Sequence, residues 1–309
     1  MSKIRLALIG LMTAFPLAAH ADITVGDLPG DTVWYLHADL DAMRGSDGGS
    51  RVYRWLEDEL FLEINEEIGI DLNAEVHSVT AFAAADNGTV IVVDGPLSRD
   101  TQDKIMALAA SQGPVDPRDH KSKVYYFFGD DDDEGNNGDD PLKDLEDSSY
   151  VSFAVKGKAI ITANENQMRA LLDNDGRITG MGSHSGALLV LSANKSLVQA
   201  GMNAEGMVDE DDDDDWESNI MRNTEQAAML VADESGMLAI EAQLISTDPK
   251  MAEAIGGIVN GLIGLQAFNA DLSPELRDFI RNTRVDVRDR TLSISTVLDP
   301  DVVVSVLDE

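Results

Sequence analysis

The chain has 309 residues, and 57 acidic against 23 basic side chains leave a formal net charge of −34 at pH 7. A field of that sign repels nucleic acid and anionic lipid surfaces, and it favours solubility and cationic partners. There is no cysteine, so disulfides are excluded and a chain with 43% apolar residues must be held by its core alone.

The first residues read as an address. Lys3 and Arg5 form a basic start, Leu6 to Leu17 is an apolar run, and Ala19-His20-Ala21 puts small residues where a signal peptidase reads. The run falls short of the roughly 20 residues that span a bilayer. It is therefore expected to be an export signal cleaved after Ala21, leaving a periplasmic protein with no transmembrane segment. Cleavage removes Lys3 and Arg5 and no acid, so −34 becomes −36.

Thr32 to Leu36 is rich in β-formers and predicts a strand, which turns into a helix at Asp39-Leu40-Asp41-Ala42. Val52, Trp55, Leu56, Leu60, Ile64 and Ile68 recur at helical spacing opposite acidic residues, with Gly69 as the stop. Val76 to Ala84 and Thr89 to Val93 flank Asp86-Asn87-Gly88, a hairpin signal because both Asn and Gly tolerate positive φ. Ser98 caps a helix to about Ala110, and Val124 to Phe128 is a further strand, with His120 in a polar loop before it. Tyr150 to Val155 and Ala159 to Ala163 form a hairpin about Lys156-Gly157, and Asn164 opens a helix over Met168, Leu171 and Leu172.

The same order then recurs. Ala187 to Leu191 is a strand running into Asn194-Lys195-Ser196-Leu197. Ala227 to Ala232 and Met237 to Leu244 form a hairpin about Ser235-Gly236. Asp248-Pro249 opens a helix to about Phe268, and Thr283 to Val287 pairs with Thr291 to Thr296. Asp299-Pro300 starts a last helix. The expected fold is α+β, built as two similar units of antiparallel sheet with helices packed on one face. The units are residues 22–173 and 186–309, joined by the glycine-rich linker 174–185.

Two acidic loops, 129–147 and 209–217, are the candidate cation sites. Placing Gly135 at the glycine of a calcium loop puts Asp130, Asp132 and Glu134 at the first three ligand positions, with Asp139 further on. The twelfth position, which needs a bidentate carboxylate, is then Pro141. The second run offers Asp211, Asp213 and Asp215 with no glycine to bend them around one ion. Both runs suit at most weak, many-oxygen binding of Ca²⁺, and the bland reading is a solvated insertion.

Catalytic signatures are missing. His37, His77, His120 and His184 have no second histidine at i+3 or i+4 for zinc. Gly182-Ser183-His184-Ser185-Gly186 has a histidine where a nucleophile elbow needs serine, and it precedes a strand. Ala252 to Phe268 is nearly uncharged yet carries Gly256, Gly257, Gly261 and Gly264. Burial close against a sheet is the expectation for this helix; a helix–helix or helix–membrane contact is the alternative.

Three segments carry a likeness: Tyr35-Leu36-His37-Ala38-Asp39, Gly69-Ile70-Asp71, and Val155 through Asn164. In these the chain resembles an uncharacterised family of exported, periplasmic proteins of Gram-negative bacteria. The resemblance implies an exported, duplicated α+β body and no particular activity. The functional expectation is a non-enzymatic binding or scaffolding role toward an envelope protein or ligand. Weak divalent-cation binding and a hydrolase with an unrecognised site stand as alternatives.

Overall fold

The computed structural model describes residues 32–84, 88–111, 114–129, 149–178, 186–197, 223–266 and 274–308. These form an α+β protein of helices and antiparallel strands, divided into two compact units. One unit holds residues 32–41 and 54–178 of the described chain; the other holds residues 42–53 together with 186–308.

In the first unit, β1 (Thr32–Asp39) pairs with β2 (Ser78–Ala84), placing His37 opposite Thr80. β2 returns through Gly88, at φ +68°, into β3 (Gly88–Asp94). β4 (Val115–His120) and β5 (Lys123–Phe128) make a hairpin whose turn residues Lys121 and Ser122 both take positive φ. β6 (Ser149–Ser152) and β7 (Lys158–Thr162) complete the strand order β1-β2-β3-β7-β6-β5-β4. The polar loop expected around His120 is therefore strand. Asp116, Pro117, Arg118 and Asp119 hide the period-two pattern, and a proline is tolerated where a strand lies at a sheet edge.

Helices α1 (Leu40–Gly45) and α2 (Gly49–Leu56) follow β1. A π-helical turn, Glu57–Phe61, then leads into α3 (Leu62–Ile68), which ends on Gly69 at φ +76°. The single helix expected over Val52–Ile68 is thus continuous but re-phased. The wide turn buries Phe61, 7% exposed, and leaves Leu60 and Leu62 at 38% and 50%. Asp71 caps α4 (Leu72–Glu75), and Ser98 caps α5 (Arg99–Ala110) by accepting from the Thr101 N–H at 3.1 Å. Asn164 caps α6 (Glu165–Asp173), which buries Met168, Leu171 and Leu172. Tyr35, Val90, Tyr125, Ile160, Met168 and Leu172 are the inaccessible centre of this unit.

The second unit has β8 (Ala187–Asn194), β9 (Thr224–Glu234), β10 (Met237–Ser246), β11 (Arg284–Arg288) and β12 (Thr291–Leu298), in the order β8-β9-β10-β12-β11. Helix α7 (Pro249–Gln266) lies between β10 and β11 in sequence, together with α8 (Pro274–Asn282), and α9 (Pro300–Leu307) closes the chain. Helix α8 was not expected from the sequence, although Ser273-Pro274-Glu275 is a start signal, because its nine residues carry few apolar positions. Residues 42–53 are tied in by side chains: the Gly48 N–H donates to Asp233 Oδ2 at 2.7 Å, and Arg51 reaches Asp301 Oδ2 at 2.6 Å. No helix among the described residues is long and apolar enough to cross a membrane.

Candidate functional site

The seven candidate cation ligands fall outside the described residues: Asp130, Asp132, Glu134 and Asp139 in 130–148, and Asp211, Asp213 and Asp215 in 198–222. Among the described residues, no group of three or more His, Asp or Glu is placed to hold a metal ion. Three histidines have separate partners. His37 Nδ1 lies 2.8 Å from Thr80 Oγ1, His77 pairs with Asp41, and His120 Nε2 lies 2.9 Å from Asp173 Oδ1.

A polar cluster in the first unit joins the β4–β5 hairpin to α6. Strand alternation puts Asp116, Arg118 and His120 on one face of β4, with Arg118 opposite Tyr125. Glu165 Oε1 accepts from the Tyr125 hydroxyl at 2.6 Å, from Arg169 at 3.0 Å and from Arg118 at 3.2 Å. The Arg118 guanidinium also lies 4.6 Å from the Phe127 ring centre. Burial by itself would raise the Glu165 carboxyl. Hydrogen bonds from Tyr125 and Arg118, with the charges of Arg169 and Arg118, outweigh it and hold the group below the usual carboxylate range. A carboxylate so saturated with donors is a poor base; its role is to clamp the hairpin to α6.

Further along, Lys121 sets Asp173 below its ordinary value and Lys123 does the same to Asp175. These carboxylates border an open cavity of about 310 Å³ lined by Asp173, Asn174, Asp175, Arg177 and Ile178. Ligand pockets are mainly apolar with a few polar anchors. Here a single apolar side chain, Ile178, stands beside two carboxylates already paired with Lys121 and Lys123, so the cavity offers little for a small molecule to bury.

A different kind of surface lies on α7. Ala252 and Ile255 are buried, and Gly256 is packed so closely that an added Cβ would meet Val287 Cγ2 at 2.6 Å and Leu292 Cδ1 at 3.5 Å. Burial against the sheet thus accounts for Gly256 only. At Gly257, Gly261 and Gly264 an added Cβ would meet nothing within 4 Å. Beside them, Ile258, Leu262 and Leu265 are 39%, 42% and 72% exposed. The glycines recur at i, i+4 and i+7, as do the three large residues, so two adjacent rows share one helix face. No charged residue occurs from Ala254 to Gln266. Each such glycine weakens an exposed helix by up to about 1 kcal/mol relative to alanine, and among the described residues no close neighbour offsets it.

No family model matches the sequence, and no curated protein matches it. Solved structures of TP0453 are similar. Crystal form III aligns at a TM-score of 0.45 and 11% identity over 93% of this chain and 98% of that one. Form IV aligns at 0.48 and 10% over 93% and 97%, and form I at 0.42 and 11% over 94% and 98%.

Proposed function

We propose that the chain is an exported protein of the Gram-negative envelope, cleaved after Ala21. Its role there is non-enzymatic binding or scaffolding, and the outer face of α7 is the surface through which it binds. One observation carries the reading: three large apolar side chains stand exposed in line on a stretch with no charge, in a protein of net charge −34. Single exposed apolar residues are ordinary, but an aligned and uncharged group marks an interaction surface. Hiding such atoms from water is worth roughly 25 cal/mol per Å², a gain realised only when something covers them.

The body is read as two copies of one unit. Supporting this, the strand order β1-β2-β3-β7-β6 corresponds to β8-β9-β10-β12-β11, with α5 matching α7 and α6 matching α9 in sequence order. The β4–β5 hairpin is then an addition to the first copy. Its Arg118–Glu165 and Lys121–Asp173 pairs hold it in place.

A photo-crosslinking residue at Leu262 in the cell-expressed chain tests the binding face. A discrete adduct is expected from intact cells, lost on placing the crosslinker instead at buried Ile255. The exported chain should begin at Asp22 and leave the cell on osmotic shock. Absence of any adduct at Leu262 removes the binding face; a cytosolic chain retaining Met1 removes the envelope role.

A further inference from the structure

We infer that the outer face of α7 pairs with the same face of a second copy of this chain, a weak two-fold dimer. The inference rests on the reading of that face as a binding surface and names its occupant.

A two-fold interface must be complementary to itself, because each patch meets its own image. The α7 face has both halves of such a match. Gly257, Gly261 and Gly264 form a shallow furrow, with open space where side chains would stand. Ile258, Leu262 and Leu265 form the adjoining ridge. Helices pack by setting the ridge of one into the groove of the other, and glycine lets two backbones come close. Rotating one α7 onto another about a two-fold axis parallel to the helices, so that the pair runs parallel, sets each ridge over the other's furrow. None of the three glycines has positive φ, so no backbone conformation in the single chain calls for them.

Electrostatics permits self-association through this face. Two bodies of net charge −34, or −36 once Lys3 and Arg5 are removed, repel. A pairing across residues 254–266 sets no carboxylate against another, since the stretch has no charged residue. Lipid is the poorer occupant: helices that lie on membranes have several Lys or Arg along the polar face, whereas Lys250 is the one cation of α7.

Area sets the strength. A helix of 18 residues is about 27 Å long and about 10 Å wide. One helix pair therefore buries less than the roughly 1,200 Å² typical of stable specific complexes. The dimer belongs to the weak, concentration-dependent class. Its affinity rises with salt, because screening removes the repulsion between the two acidic bodies while leaving apolar contact in place.

Sedimentation velocity on the full mature chain, from about 5 to about 500 µM and at about 0.05 and 0.5 M NaCl, tests this. The expected result is a monomer–dimer equilibrium, several-fold tighter at the higher salt. Gly261→Leu fills the furrow and Leu262→Glu charges the ridge; each should weaken dimerisation at least tenfold. Gly261→Leu should keep the wild-type melting temperature or exceed it, which separates loss of pairing from loss of fold. A chain that stays monomeric throughout overturns the dimer, as does self-association indifferent to both substitutions. Co-sedimentation with phosphatidylcholine vesicles, without dimers, also overturns it. If the Leu262 crosslink forms with a heterologous protein while the chain is monomeric, the binding face stands and the second copy falls. A crosslinked species of twice the chain mass supports both.

Discussion

His37 illustrates how a strand position sets a titration. It lies in β1 opposite Thr80, and burial pushes its imidazole below the ordinary value despite the nearby charges of Asp39 and Asp94. The native state therefore binds a proton on this ring less readily than the unfolded chain, which takes one up below about pH 6.5. Stability from this residue is complete above that value. It falls as the pH drops toward the lower, native value, and then levels off. Urea denaturation of the wild type is expected to give a lower midpoint at about pH 5.5 than at about pH 7.5, and His37→Gln should flatten that segment of the profile. The strand placement of His37 was readable from Thr32 to Leu36. Its burial was not, because that depends on which residues of β2 and β3 lie beside it. Glu165 was likewise invisible as a clamp, since its partner Arg118 sits in a strand whose charges conceal it.

At the scale of the element, α7 sets two glycines in opposite surroundings. Gly261→Ala removes a helix-weakening residue and adds a methyl group in open space, so the protein should gain up to about 1 kcal/mol. Gly256→Ala makes the same local gain but drives its methyl into Val287, a β-branched side chain with little freedom to move. Overpacking of that kind costs about 1–3 kcal/mol, so this variant should melt lower than the wild type, and calorimetry of the pair reads the difference. The sequence placed four glycines on one helix correctly. Which of them touch the sheet follows from the rotation of α7 on Val287 and Leu292, a tertiary quantity. The helix through Glu57–Phe61 teaches the same lesson: apolar spacing announced a helix, but the π turn decided that Phe61 rather than Leu60 enters the core.

For the whole molecule, charge matters most. A net −34 with no disulfide means that self-repulsion opposes a fold held by core packing and hydrogen bonds. Added salt shortens the screening length from about 30 Å at 0.01 M to about 3 Å at 1 M, so the melting temperature is expected to rise across that range. A flat response would mean that the acids are spaced too widely to matter. The sequence by itself determined the α+β class, the order of nearly all strands and helices, and their caps and turn glycines. These depend on interactions within a few residues: periodicity, a side chain reaching the next turn, a φ that only certain residues adopt. The tertiary structure alone decided that residues 42–53 join the unit of residues 186–308, that Glu165 gathers three donors, and that Ile258, Leu262 and Leu265 stand exposed on α7. Those facts arise between residues distant in sequence, where burial and complementarity are set by packing and no local pattern encodes them.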